Sequence, residues 1–417
     1  MRTISLVLIS AALGAGAIGA AVGFDAESPA AAEQEVWDRR PGPDSGRVAM
    51  MLDALGRTDP VVCELIADQI GNFWNGGERA GIGRLVAAPP SILAAKDSIG
   101  GQITDARAID RLVSELSAQN TCVRRVAGKM LGRSSVAPAR LRALLGDASA
   151  TIRESAAYAI GVGEVKELRS TLEASLRDRD AAVGAMAAWA LGELEDRASV
   201  PALVATLRGS EPRIRLAAIW ALGQIEDARA VPEIITALRD ADPAIRAVAA
   251  GALGDIEDDA AVAPLERAVA SDADARVRTA AAEALGQLSA ASSAAALGRA
   301  LGDANVGVRR AAAQALGDLD DVTSAPPGLV GALRSGDAAL RHHAANALAE
   351  IADPATTPAL VELLSDRSTE IRQHAAEALG EIGTPDAVRA LTRALEDSDP
   401  EVRRAAVEAL ADAKEND

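Results

Sequence analysis

The sequence predicts an all-α array of about twelve two-helix repeats stacked side by side as an α-solenoid, and three observations carry this. Short phrases ending in Gly or Ala recur at Gly71, Gly101, Gly132, Gly161, Gly192, Gly223, Gly254, Gly286, Gly317, Ala349, Gly380 and Ala411, in steps of 29 to 32 residues. A fixed period of that length marks one supersecondary unit repeated along the chain. Each period holds two apolar patterns at helical spacing, and neither helix buries its stripe without a neighbour. Aromatic residues are 2% of the chain although hydrophobic residues are 49%, much of that alanine. Such a composition suits thin layers of closely spaced helices and not a ring-filled globular core.

Taken in order, residues 1–23 read as a signal peptide, 24–46 as a flexible linker and 47–417 as the repeat array. Arg2 supplies a short positive region, an apolar stretch follows from Ile4, and small residues precede Phe24, the pattern of a secretory signal with cleavage after Ala21 to Gly23. The expected location is therefore exported, periplasmic or extracellular. The alternative is an uncleaved inner-membrane anchor, for which the stretch is nearly long enough. No cysteine lies directly at its end, which excludes a lipoprotein anchor. No later segment is apolar enough to span a membrane once the signal is removed.

Within a unit, the first helix is short, as in "RAVPEIITALRD", with proline near its start, where a missing N–H is tolerated. A turn follows, often Asp-Pro, as at Asp242-Pro243 and Asp399-Pro400; Asp caps the next helix and Pro suits its first position. The second helix reads "VRRAAVEALA" or "IRQHAAEALG". The repeated glycine is expected just past its end, as a left-handed stop.

The phrase D-x-x-x-x-V/I-R-x-x-A-A-x-A-L-G resembles the HEAT repeat, and more narrowly the short bacterial form of phycobilisome-lyase-type proteins, over about residues 47 to 417. The resemblance implies a right-handed superhelix from a bacterial cell. It also implies that aspartates and arginines of the motif form a structural ladder between neighbouring units: Asp147, Arg153, Asp240, Arg246, Asp272, Arg278, Asp303, Arg309, Asp366, Arg372, Asp397 and Arg403. Asp178 and Arg215 hold the same positions, and Gly184 replaces one arginine.

The formal charge is −17. An acidic surface repels phosphate backbones, so nucleic acid is not an expected partner. No HExxH, phosphate-binding glycine loop or Ser/His/Asp set is present, and no catalytic residue, cofactor or metal is expected. Deoxyhypusine hydroxylase, an oxidoreductase resembling HEAT proteins, holds iron with His-Glu pairs after the repeat's arginine. Here His342, His343 and His374 are the only histidines and none precedes glutamate, so half of each pair is missing. His343 and His374 occupy equivalent positions in adjacent units; a surface metal site there is the alternative to two partly buried histidines at an Ala/Val position. Cys63 and Cys122 fall two units apart in the register, roughly 20 Å at 8–10 Å per layer. Two buried thiols are therefore expected, not a disulfide.

Counting five residues on from each unit's arginine gives Lys129, Tyr158, Trp189, Trp220, Gly251, Glu283, Gln314, Asn346, Glu377 and Glu408. A slot so tolerant of polar side chains faces solvent, yet three consecutive units fill it with rings. Leu216 lies four residues before Trp220 on the same face. In HEAT arrays the second helices line the concave side, so Tyr158, Trp189, Trp220 and Leu216 read as a partner-binding column. The alternative is that each ring lies across a neighbouring helix and thickens an alanine core. The expected function is a non-catalytic scaffold or adaptor binding a protein or extended peptide. The first alternative is an accessory or regulatory subunit of a lyase- or protease-type enzyme, and the second a deoxyhypusine-hydroxylase-like oxidoreductase.

Overall fold

The computed structural model describes residues 43–57 and 102–415, with side chains to 411. The signal peptide, most of the linker, residues 58–71 of the first period and the period ending at Gly101 lie outside the described residues. Two compact units divide at Val136 and Ala137. Every element among the described residues is helical, apart from one isolated bridge between Ile103 and Ser134.

The first unit holds α1 (Ser45–Gly56), α2 (Ala106–Glu115) and α3 (Thr121–Gly132). Asp44, Asp105 and Asn120 cap them, each side chain accepting from a backbone N–H of the first turn. Caps of this kind satisfy donors that helix geometry leaves without partners. α1 buries Val48, Met51, Leu52 and Leu55 and packs on both α2 and α3. That contact overturns the expectation for the cysteines: Cys122, at the start of α3, is disulfide-bonded. The chain's only other cysteine is Cys63, outside the described residues. The register argument placed a full repeat layer between the two cysteines. Instead α1, which ends at Gly56, already lies against the helix that carries Cys122.

The second unit is an all-α solenoid of nine helix pairs. They are α4 (Pro138–Leu145) with α5 (Ala150–Val162), α6 (Arg169–Ser175) with α7 (Ala181–Glu193), and α8 (Val200–Thr206) with α9 (Pro212–Ile225). Next come α10 (Val231–Ala237) with α11 (Pro243–Ile256), α12 (Val262–Ser271) with α13 (Ala275–Gln287), and α14 (Ala294–Ala300) with α15 (Val306–Gly317). The last three are α16 (Pro327–Ala332) with α17 (Ala338–Ile351), α18 (Thr357–Leu363) with α19 (Thr369–Ile382), and α20 (Pro385–Ala394) with α21 (Pro400–Glu415). Each first helix packs on its own second helix, and each second helix packs on the second helix of the next pair.

The sequence dictates this layering locally. Asp242 caps α11 by accepting from Ala244 N at 2.8 Å, with Pro243 at the first helical position. Asp180, Asp274 and Asp337 do the same for α7, α13 and α17. The alanine three residues after each arginine position is fully buried, as at Ala187, Ala218, Ala249 and Ala281, and a buried leucine follows in Leu191, Leu222, Leu253 and Leu285.

The repeated glycines do not terminate the helices, contrary to the sequence expectation. Gly192 and Gly223 lie inside α7 and α9. The left-handed residue comes three positions later, four after Gly317, and is mostly not glycine: Glu164, Glu195, Glu226, Glu257, Ser289, Asp321 and Ala352 have positive φ, and among the described residues only Gly383 uses glycine there. What the repeated glycine supplies is room. A methyl group at Gly192 would lie 2.9 Å from the Cα of Ala221, and one at Gly380 would lie 2.8 Å from the Cα of Ala409. Missing side chains let successive second helices approach backbone to backbone.

Candidate functional site

The motif arginines and aspartates meet across the repeats of the second unit. Arg153 forks onto Asp178 at 2.8 and 2.7 Å, Arg246 onto Asp272 at 2.8 Å twice, Arg278 onto Asp303 at 2.7 and 2.9 Å, and Arg372 onto Asp397 at 2.8 and 2.9 Å. Arg215 reaches Asp240 more loosely, at 3.1 and 3.4 Å. The Nη1 groups of Arg153, Arg246, Arg278 and Arg372 also donate to the backbone carbonyls of Asp147, Asp240, Asp272 and Asp366 in their own repeats. Such bidentate, charge-assisted bonds set orientation as well as energy. Each arginine fork holds its aspartate (Asp178, Asp272, Asp303, Asp397) below the ordinary carboxylate range, against an opposing effect of burial.

Other motif residues lack that cross-repeat bond. Arg309 and Arg403 donate Nη1 to the carbonyls of Asp303 and Asp397 at 2.7 Å. The position facing Arg309 in the next repeat is Ser335, which has no carboxylate, and the neighbouring Arg310 forks onto Asp337 across that junction instead. Where Gly184 replaces arginine, the facing position is Gly209. Arg341 donates Nη1 to the Ser335 carbonyl at 2.8 Å and leaves its Nε buried without a partner.

The aromatic column stands on three successive second helices. Tyr158, Trp189 and Trp220 are all half-buried, as is Leu216. Tyr158 stacks on Trp189 with ring centroids 5.2 Å apart and planes at 29°. Each tryptophan covers the repeat glycine of the preceding helix: a methyl group at Gly161 would sit 2.7 Å from Trp189 Cζ3, and one at Gly192 would sit 2.9 Å from Trp220 Cζ3. The rings thus have one face on the array and the rest open to water. Further along the same column, Glu283, Gln314, Asn346, Glu377 and Glu408 are exposed.

The histidines meet differently from the sequence expectation, which paired His343 with His374. In the structure His342 Nδ1 faces His374 Nε2 at 2.8 Å, and the two rings are edge-on. His343 lies edge-on to His342 at 5.7 Å, and its pKa is lowered, first by burial and then by the neighbouring His342. The histidine contact joins unequal register positions, one residue after Arg341 and two after Arg372, so equal register alone did not pick the pair. Glu370, one turn before His374 on α19, completes a set whose ligand atoms all lie within 4.8 Å of one another. Sequence reasoning did not single out Glu370; its signal was the four-residue spacing to His374.

With the geometry in place, the family model for HEAT repeats matches residues 137–212, 200–286, 270–335 and 326–411. The chain is a HEAT-repeat protein. No curated protein matches it. Among solved structures, this HEAT array is similar to importin beta in an ammonium sulfate condition, with TM-score 0.55, 18% identity, and 74% of this chain and 52% of that chain covered. It is also similar to Kap95p in a study of its binding to RanGDP, with TM-score 0.51, 14% identity, and 89% and 55% covered. The chain spans about half the length of these two proteins. Human deoxyhypusine hydroxylase in complex with glycerol matches with TM-score 0.28 and 22% identity over 61% of this chain and 99% of that one. The first two likenesses concern the fold alone, and the third is too distant to carry an argument. Among the described residues, no helix is long and apolar enough to cross a membrane.

Proposed function

We propose that the chain is an exported, non-catalytic scaffold whose second-helix face binds a protein or extended peptide, with Tyr158, Trp189, Trp220 and Leu216 as anchors. The observation that carries the reading is the column itself. Three rings in consecutive repeats keep exposed surface on one face of a chain that otherwise avoids rings. Aromatic side chains lose little freedom on binding and dominate binding hot spots. The fold neighbour Kap95p is described as binding a protein, RanGDP. The disulfide at Cys122 supports export, since disulfides persist in oxidising compartments. The short repeat period supports the narrower assignment to the bacterial phycobilisome-lyase-type form.

The test is affinity capture with the mature chain from a periplasmic extract, followed by an affinity measurement with the partner identified. Trp189→Ala and Trp220→Ala should each weaken binding by about 2 kcal/mol or more, roughly thirtyfold. An unchanged affinity in a double variant that still folds would remove the column from the interface.

A further inference from the structure

We propose that His342, His374 and Glu370 bind one zinc-class divalent cation, which clamps α17 to α19. The sequence reading expected no metal; the geometry points the other way. His342 comes from one second helix, and His374 and Glu370 come from the next, one turn apart on a single face. Two imidazoles and a carboxylate are the three-ligand set of an open zinc site, leaving the fourth position to water. The facing nitrogens lie 2.8 Å apart. Two nitrogens about 2.0–2.1 Å from a tetrahedral zinc sit roughly 3.3 Å apart, so the rings need to separate by only about 0.5 Å.

The outer contacts already orient the ligands. His374 Nδ1 lies 3.0 Å from Glu377 Oε2. Donation of the Nδ1 proton to that carboxylate leaves Nε2 with its lone pair toward His342, the arrangement seen behind metal-bound histidines. His342 Nε2 has Asn346 at 3.4 Å, whose amide oxygen, after a flip, accepts the Nε2 proton and frees Nδ1. Two carboxylates, Glu370 and Glu377, offset the one guanidinium at the site, Arg341, which lines the same small pocket.

The position in the array supplies an independent reason. At the junction of α17 with α19, Arg341 makes no fork and leaves its Nε buried without a partner, and the ion pair that crosses there, Arg334 with Glu362, is exposed. The histidine–glutamate set bridges this same junction. A cation there does the work of the missing fork, with metal–ligand bonds in place of hydrogen bonds.

The experiment titrates Zn²⁺ into the chelator-stripped full chain by calorimetry, with Co²⁺ as a spectroscopic probe. The expected result is one saturable site, visible Co²⁺ bands of a four-coordinate ion, and a raised melting midpoint with zinc. His342→Ala and His374→Ala should each weaken Zn²⁺ binding at least tenfold, and Glu370→Gln, at an exposed position, should weaken it several-fold without disturbing the fold. His343→Ala should bind like the parent chain. Absence of saturable uptake, or equal uptake by all variants through scattered surface carboxylates, overturns the proposal. So does full affinity in Glu370→Gln, or a loss in His343→Ala as large as in His374→Ala.

Discussion

The close approach of second helices makes a signed prediction for two glycines that a helix-propensity scale treats alike. Replacing glycine by alanine inside a helix is worth up to about 1 kcal/mol in favour of alanine. At Gly251 in α11, a methyl group meets nothing within 4 Å, so Gly251→Ala should realise that gain. At Gly192 in α7 the same methyl lies 2.9 Å from Ala221 Cα, 3.0 Å from Ala221 Cβ and 2.9 Å from Trp220 Cζ3. Ordinary carbon contacts begin near 3.5 Å, so α9 must move away by about half an ångström. Its backbone cannot swing aside as a flexible side-chain end does. Overpacking of this kind costs about 1–3 kcal/mol. The net change for Gly192→Ala is therefore a loss of up to about 2 kcal/mol, opposite in sign to Gly251→Ala. Urea unfolding followed by far-ultraviolet circular dichroism reads both midpoints, with the slope checked because repeat arrays lose cooperativity when one junction weakens. If both variants move the midpoint upward, the repeated glycines are not contact residues and the packing argument fails.

The forks predict a comparable contrast. Asp272→Ala should cost about 2–3 kcal/mol by stranding Arg246, whose side chain is 15% exposed, whereas Asp53→Ala, which breaks an exposed pair with Arg111, should cost under about 1 kcal/mol. The pH dependence follows from the native pKa values of Asp178, Asp272, Asp303 and Asp397, all depressed by their arginine forks. Their stabilisation is complete above the unfolded value near ~4 and disappears as pH falls through the lower native values. Glu193 and Asp255 oppose it: burial raises both, so the stability they give is present at low pH and is lost as pH rises through their native values. Melts should hold from neutrality to about pH 5 and drop below about pH 4; stability that keeps rising to pH 3 would show that the forks contribute nothing. Thiol titration of the unreduced, denatured chain should find no free cysteine, and reduction should destabilise the first unit by about 2–4 kcal/mol. Glu226→Gly, at φ 51°, should be neutral or stabilising by up to about 1 kcal/mol, since a side chain is strained there.

The repeat and its two-helix content were legible because the period and the alanines repeat from unit to unit, with Asp-Pro turns marking several of the second helices. Other features were hidden for physical reasons. A glycine near a helix end fits both a stop and a close contact, and only the neighbouring helix at Ala221 or Ala409 decides between them. A left-handed Glu226 or Glu257 is invisible to propensity, since glutamate favours right-handed helix. The disulfide at Cys122 escaped because counting periods assumed that every period is a separate layer, whereas α1 packs directly on α3. His343 was chosen over His342 because register equates positions, while this contact joins unequal ones. Glu370 offered only its four-residue spacing to His374, a spacing shared by many surface glutamates, until the fold set it beside two imidazoles.

The same glycine-to-alanine contact at successive junctions also makes the repeats interchangeable parts. Gly192 meets Ala221, Gly223 meets Ala252 and Gly286 meets Ala315 through nearly identical approaches. A duplication or excision of one whole period in that stretch rejoins a glycine surface to an alanine surface of the same shape, so neither flank must be redesigned. Array length can therefore change in whole-repeat steps without remaking the core, whereas a change of a few residues inside a second helix shifts its contacts out of phase with both neighbours.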